Sequence, residues 1–165
     1  MNIVSVCGPT DIDGGKISYL TSSVGSQVDI SGGSVSYVLP RDFSQVDISG
    51  GTITWIYGVW SSQVNISGGT IGVYGGFRPD AQSIIKIFGS DFTVDGQTVG
   101  YGELTSIFGG SYNDEPMRHL TGTLASGELI NSVFYIGHDA KITLVPEPAT
   151  LLLLGLATVM VRKRR

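Results

Sequence analysis

The sequence predicts an all-β body, a parallel β-helix (β-solenoid) of 18-residue coils with a C-terminal β cap, followed by a single C-terminal transmembrane helix. Three observations predict it: a repeat that recurs without slippage, a body rich in glycine and poor in charge, and an uncharged apolar run that ends in four basic residues.

The repeat comes first. Ser26-Gln27-Val28-Asp29-Ile30-Ser31-Gly32-Gly33-Ser34-Val35 returns as 44–53 and again as 62–71, with Asn65 in place of the aspartate. Eighteen residues earlier stands a worn copy, Asp11-Ile12-Asp13-Gly14-Gly15-Lys16-Ile17. Four units in register, near 8–25, 26–43, 44–61 and 62–79, make a repeat architecture over residues 1–78. A fifth, Ile85-Lys86-Ile87-Phe88-Gly89-Ser90-Asp91-Phe92, follows a three-residue insertion placed around Arg78-Pro79-Asp80.

Within a unit, Val28 and Ile30 alternate with Gln27, Asp29 and Ser31, the period of a half-buried strand. Gly32-Gly33 turns the chain at low steric cost. A second strand is expected to point Val35 and Tyr37 inward, then Ile53 and Trp55, then Ile71 and Val73. No unit can bury its apolar row alone, so the units must stack, about 4.8 Å apart. Val28, Val46 and Val64 then form one internal file; Ile12, Ile30, Ile48 and Ile66 form another. A left-handed hexapeptide helix also fits 18 residues, but six-residue steps from Ile30 reach Ser36 and Asp42. A calcium-binding nonapeptide array would need a second Gly-Gly and paired aspartates. A right-handed or irregular solenoid is preferred.

Residues 79–144 read as a degenerate coil and a β-rich cap, with strands at 84–88, 92–94, 98–101, 120–124, 133–136 and 142–145. Asp95-Gly96 and Ser126-Gly127 mark turns, and 109–118 a polar loop. At the other end the first coil starts within about ten residues of Met1, with nothing left to cap it. Met1–Gly8 shows neither the basic nor the apolar region of an export signal, and a lipoprotein role for Cys7 fails for the same reason. Both points lead to the expectation of a C-terminal piece of a longer secreted β-helix.

The tail, 145–165, has three parts. Pro146-Glu147-Pro148 is a stiff hinge that disfavours helix. Ala149, Thr150, Leu151, Leu152, Leu153, Leu154, Gly155, Leu156, Ala157, Thr158, Val159, Met160 and Val161 carry no charge. Thirteen residues give roughly 20 Å of helix against a hydrocarbon core of roughly 30 Å. Arg162, Lys163, Arg164 and Arg165 tip the reading to a membrane segment, because cations snorkel to headgroups and stay on the cytoplasmic side. The order of hinge, Leu-rich run and basic end closely resembles the PEP-CTERM sorting signal of bacterial envelope proteins. The resemblance implies exosortase, a membrane protease-transpeptidase, as processing partner. It also implies membrane attachment before processing, and cell-surface or extracellular residence afterwards. Leu120–Gly127 is similar, more weakly, to the segment before the membrane in many such proteins.

Composition limits the function. Residues 1–161 hold six basic against fourteen acidic side chains, a net −8, which disfavours nucleic acid as a partner. One cysteine, Cys7, excludes an intrachain disulfide. Asp11, Asp29, Asp47 and Asn65 form one outward file. Carboxylates about 5 Å apart suit a retaining glycosidase or weak calcium ligation. The file repeats with the unit instead of breaking its symmetry, and no Arg or Lys joins it at the repeat positions. It therefore reads as a solvated surface, with Asp11, Asp29 and Asp47 as the only weak calcium candidates. His119 and His138 lack metal-ligand spacing; Ser31, Ser49 and Ser67 look like turn residues. Tyr37, Trp55, Tyr57, Trp60 and Tyr74 could stack on sugars, although Trp55 reads as core, with only Tyr57 and Trp60 exposed. No cofactor motif, metal cluster or catalytic residue stands out. The expectation is a non-enzymatic structural or adhesive protein of the bacterial exopolysaccharide matrix. The alternative is a fragment of a secreted polysaccharide lyase or hydrolase.

Overall fold

Alternation of apolar and polar residues in the short repeat segment and a longer apolar segment after Gly-Gly produce two walls. The computed structural model describes residues 2–104 and 117–147, with no helix among them. One wall stacks β2 (Thr10–Ile12), β4 (Gln27–Ile30), β6 (Gln45–Ile48), β8 (Gln63–Ile66), the first half of β10 (Ile84–Val94) and β15 (Lys141–Pro146), all parallel. The facing wall stacks β1 (Ile3–Val6), β3 (Lys16–Ser22), β5 (Ser34–Pro40), β7 (Thr52–Gly58), β9 (Thr70–Pro79) and β14 (Leu129–Phe134), again parallel. The body is thus a β-solenoid of about five coils.

The expected files exist and run further than the repeat. Val28, Val46 and Val64 continue into Ile85 and Ile142; Ile12, Ile30, Ile48 and Ile66 continue into Ile87 and Leu144. All are buried. Within the repeats the stacked side chains are identical and β-branched, so one stiff rotamer serves every rung.

The second strand departs from strict alternation. Val35 is buried, but the next inward residue is Val38, three positions on; Ile53 and Ile56 repeat the step. Tyr37 therefore lies exposed and Trp55 half-buried, which corrects the expectation that both point inward. The physical reason is a bend in the strand. The ladder pairs Val35 with Ile53 and Tyr37 with Trp55 but skips Ser36, so both Ser36 and Tyr37 fall on the convex side. Val73 and Tyr74 lie where side chains are not described.

The insertion also moves. Ile53 pairs with Ile71, but Trp55 pairs with Gly76, so the three extra residues sit between 71 and 76, not at 78–80. Arg78 and Pro79 are in register with Tyr57 and Gly58. Glycine makes the bulge feasible: a Cβ on Gly75 would overlap the Thr54 carbonyl oxygen.

Beyond the coils, the strands expected at 84–88 and 92–94 form one strand, β10. Its second half pairs antiparallel with β13 (Arg118–Leu124), which pairs antiparallel with β14. This hairpin joins the two walls at the C-terminal end. β11 (Gln97–Thr98) turns back on β10, and β12 (Gly102–Glu103) covers the outer edge of β15. Phe77 and Phe134 stack at 5.8 Å where cap meets coil. Arg78 lies between the rings of Tyr57 (4.8 Å) and Tyr135 (4.5 Å) and reaches Asp80. The polar loop falls largely, and the transmembrane helix wholly, outside the described residues. Among the described residues, no helix is long and apolar enough to cross a membrane.

Candidate functional site

Each coil turns at two corners, and they differ in chemistry. At the Gly-Gly corner the stacked turns touch. A Cβ on Gly50 would overlap the Ser31 carbonyl oxygen, and Gly51 has φ +81° with Gly32 beneath it. Ser67 Oγ donates to the Ile48 carbonyl at 3.3 Å, the turn role expected of it. The stack ends at Ser126, whose N–H donates to the Ser67 carbonyl at 2.9 Å. Glu128 accepts hydrogen bonds from Ser126 Oγ (2.7 Å) and the Gly69 N–H. Those two donors hold the Glu128 carboxyl below its ordinary value. In the same cap, the His119 N–H and then the Arg118 guanidinium lower Asp95.

The opposite corner is built from pairs of left-handed residues: Val24-Gly25, Asp42-Phe43, Trp60-Ser61 and Ala81-Gln82 all have positive φ, followed by Asp139. Positive φ at both central positions defines a primed turn, which favours Gly and Asn. Val, Phe and Trp are unusual there. A column of buried serines, Ser26, Ser44, Ser62 and Ser83, stands behind the turns, and two of them, Ser44 and Ser83, bond the backbone. Ser44 Oγ accepts from the Arg41 N–H at 2.9 Å, and Ser83 Oγ from the Asp80 N–H at 2.8 Å. The tips bond from rung to rung: Phe43 N–H to the Trp60 carbonyl, Ser61 N–H to the Ala81 carbonyl. Asp42, Phe43, Trp60, Ser61, Ala81, Gln82, His138 and Asp139 line an open groove of about 380 Å³ along this corner. Phe43 is 78% and Trp60 53% exposed. The Arg41 guanidinium lies 5.5 Å from the Trp60 ring centre.

The outward acidic file is in register: Asp11 with Asp29, Asp29 with Asp47, Asp47 with Asn65. One correction applies, since Lys86 joins it beside Asn65, hidden from an 18-residue count by the insertion. Asp47 accepts from Gln45 Nε2 at 2.7 Å and from Asn65 Nδ2. Asp11, Asp29 and Asp47 stand one per rung and converge on no shared point; among the described residues no His, Cys, Asp or Glu group is arranged for a metal ion.

The aromatic residues divide between two places. Tyr19 and Tyr37 stack face to face at 4.6 Å and 6°, so their ring faces serve each other. Tyr57 is half-buried under Arg78, which leaves Trp60 as the tryptophan open to solvent. Sequence reasoning missed the left-handed corner. Its trace was weak: the two residues before the repeated Ser26, Ser44 and Ser62 share no type from unit to unit, but neither do the three residues before them.

At the C-terminal end, β15 lies parallel on β10, pairing Leu144 with Ile87 and Pro146 with Gly89. Glu147 is half-buried directly after it. Pro148 and residues 149–165 fall outside the described residues. The molecule is thus a β-solenoid whose last rung runs straight into a C-terminal Pro-Glu-Pro segment with a Leu-rich run and a basic end. The family model of the PEP-CTERM protein-sorting motif matches residues 144–165, so the chain carries that motif. The motif is the signal recognised by exosortase, which makes exosortase the implied processing partner and the envelope or cell surface the implied destination. Neither the curated proteins nor the solved structures compared contain a match.

Proposed function

We propose that the chain is a non-enzymatic structural or adhesive protein of the exopolysaccharide matrix, delivered by its sorting motif. The observation that carries this reading is the direct join of solenoid to motif at Pro146. A rigid rod fixed to an address is suited to display and not to turnover. The repeated outward residues support it too, because a catalytic centre breaks repeat symmetry at one place. Before processing, residues 149–161 sit in the membrane, with Arg162–Arg165 on its cytoplasmic side.

The test is to express the chain in an exosortase-bearing host with Arg162, Lys163, Arg164 and Arg165 replaced by Ser. The intact chain is expected to be processed and to fractionate with the polysaccharide matrix; the variant is expected to lose processing. Normal processing of the variant, or an intact chain found in the membrane fraction alone, would refute the proposal. Release of reducing ends from matrix glycans by the purified chain would refute its non-enzymatic part.

A further inference from the structure

The left-handed corner holds one groove where an aromatic face, hydrogen-bonding groups of mixed type and an unusual backbone coincide. Trp60 is held by a φ of +51° at a position that favours Gly, just after Gly58, whose carbonyl accepts from the buried Ser83 Oγ at 2.8 Å. Left-handed backbone is sterically costly for a residue that carries a Cβ. A bulky side chain exposed at such a place calls for a use outside the fold. One side of the indole carries the Arg41 guanidinium, and Arg41 is not part of the groove lining. Trp60 itself lines the groove, where the next rung offers the small Ala81 in the same file. The lining adds Asp42, Asp139 beside the His138 ring (3.3 Å), and the Gln82 amide, whose oxygen accepts from the Ser61 hydroxyl at 3.3 Å.

We infer that this groove binds a neutral pyranose of a polysaccharide chain, stacked on Trp60. The inference rests on the matrix reading and names the ligand class and the site. Three observations choose the occupant. The two aspartates repel anionic sugars, and the Arg41 guanidinium is engaged on the Trp60 ring. That same guanidinium opposes a second cation on the free face, since the two charges would be separated by little more than the ring. The carbon-bound hydrogens of a pyranose are attracted by the negative face of an aromatic ring without adding charge. Its hydroxyls need the mixture of acceptors and donors that Asp42, Gln82, Ser61 and Asp139 supply. The groove also runs across the rungs, so a chain of sugars can continue along it.

The experiment is calorimetric titration of the full chain in mild detergent with cello-, manno- and malto-hexaose, with oligogalacturonate and tetramethylammonium as charged comparisons. Trp60→Asn keeps a residue that accepts left-handed backbone, and Trp55→Phe alters the other tryptophan on the facing wall. At least one neutral hexaose is expected to bind. Its affinity is expected to fall at least tenfold in Trp60→Asn and to change less than twofold in Trp55→Phe. Equal binding by Trp60→Asn, no heat from any neutral hexaose, or preference for oligogalacturonate or tetramethylammonium overturns the inference. So does Trp60-dependent self-association without a glycan response, which would make the groove a contact between copies. If the inference falls while the chain still fractionates with the matrix, the matrix role stands and acts through another surface.

Discussion

The two corners of each coil bend the same backbone with opposite tolerance. At the Gly-Gly corner the pair itself recurs in every unit, and the coils touch through bare backbone. At the left-handed corner the backbone is equally repetitive, but the side chains run from Val to Asp-Phe to Trp-Ser to Ala-Gln. The first is constrained by contact between rungs; the second is bonded from rung to rung through its backbone and leaves its side chains exposed at Val24, Phe43 and Trp60. In this solenoid, sequence identity marks the corner where coils meet without side chains, and diversity marks the corner whose side chains point away from the stack.

The comparison can be broken or sharpened in four steps, taken from the largest effect down. Ile48→Asp puts an unpaired charge into a buried file and is expected to cost at least about 4 kcal/mol, leaving no cooperative thermal transition. A melting temperature within a few degrees of the parent would contradict the assignment of the files. Gly50→Ala forces the Ser31 and Gly50 rungs apart and is expected to cost about 3 kcal/mol, close to core damage although the residue is only a turn glycine. A loss under 1 kcal/mol by denaturant titration would remove the contrast between corners. Asp42→Asn with Phe43→Gly, at the other corner, should stabilise by about 1 kcal/mol, because both residues relieve positive φ and Phe43 buries little. Destabilisation would show that Phe43 packs against the fold.

The smallest effect is in pH. Glu128 has a lowered pKa in the folded chain, so its contribution is complete above the ordinary glutamate value and disappears as pH falls through the folded one. The side chain is exposed, which limits the effect to under about 1 kcal/mol. Glu128→Gln should therefore lower stability near neutrality, and the difference from the parent should shrink as pH falls through the folded value. A difference that stays constant on acidification would mean that packing, and not the ionised carboxylate, closes the Gly-Gly stack.

Much of the body was legible because an 18-residue period fixes both rung and register. Val28 over Val46 over Val64 followed from counting alone. Counting failed where the backbone changed without a change in composition. The bend at Ser36 looks like ordinary alternation in sequence, so Tyr37 and Trp55 were placed inward. The bulge at 72–75 hid Lys86 from its file by shifting later residues by three. The groove was illegible for another reason. Asp42, Trp60, Gln82 and His138 are brought together by positive φ values that no residue other than glycine advertises. The sorting motif, by contrast, is read from linear order, and the match to residues 144–165 needed no fold.

The hairpin that joins the walls has a consequence in time. Within the repeats each strand pairs with one 18 residues away, a short loop to close. The pairs that complete the end, Val133 on Gly76 and Ile142 on Ile85, are each 57 residues apart. A chain that emerges N-terminus first can lay rung upon rung as it goes, but its two walls stay unjoined until Arg118–Pro146 arrive. Because non-local pairing is slow, this closing step is expected to follow the pairing of the repeat rungs. It ends with Pro146 locking onto Gly89, so the boundary of the sorting motif takes its final form only when the rod behind it is finished.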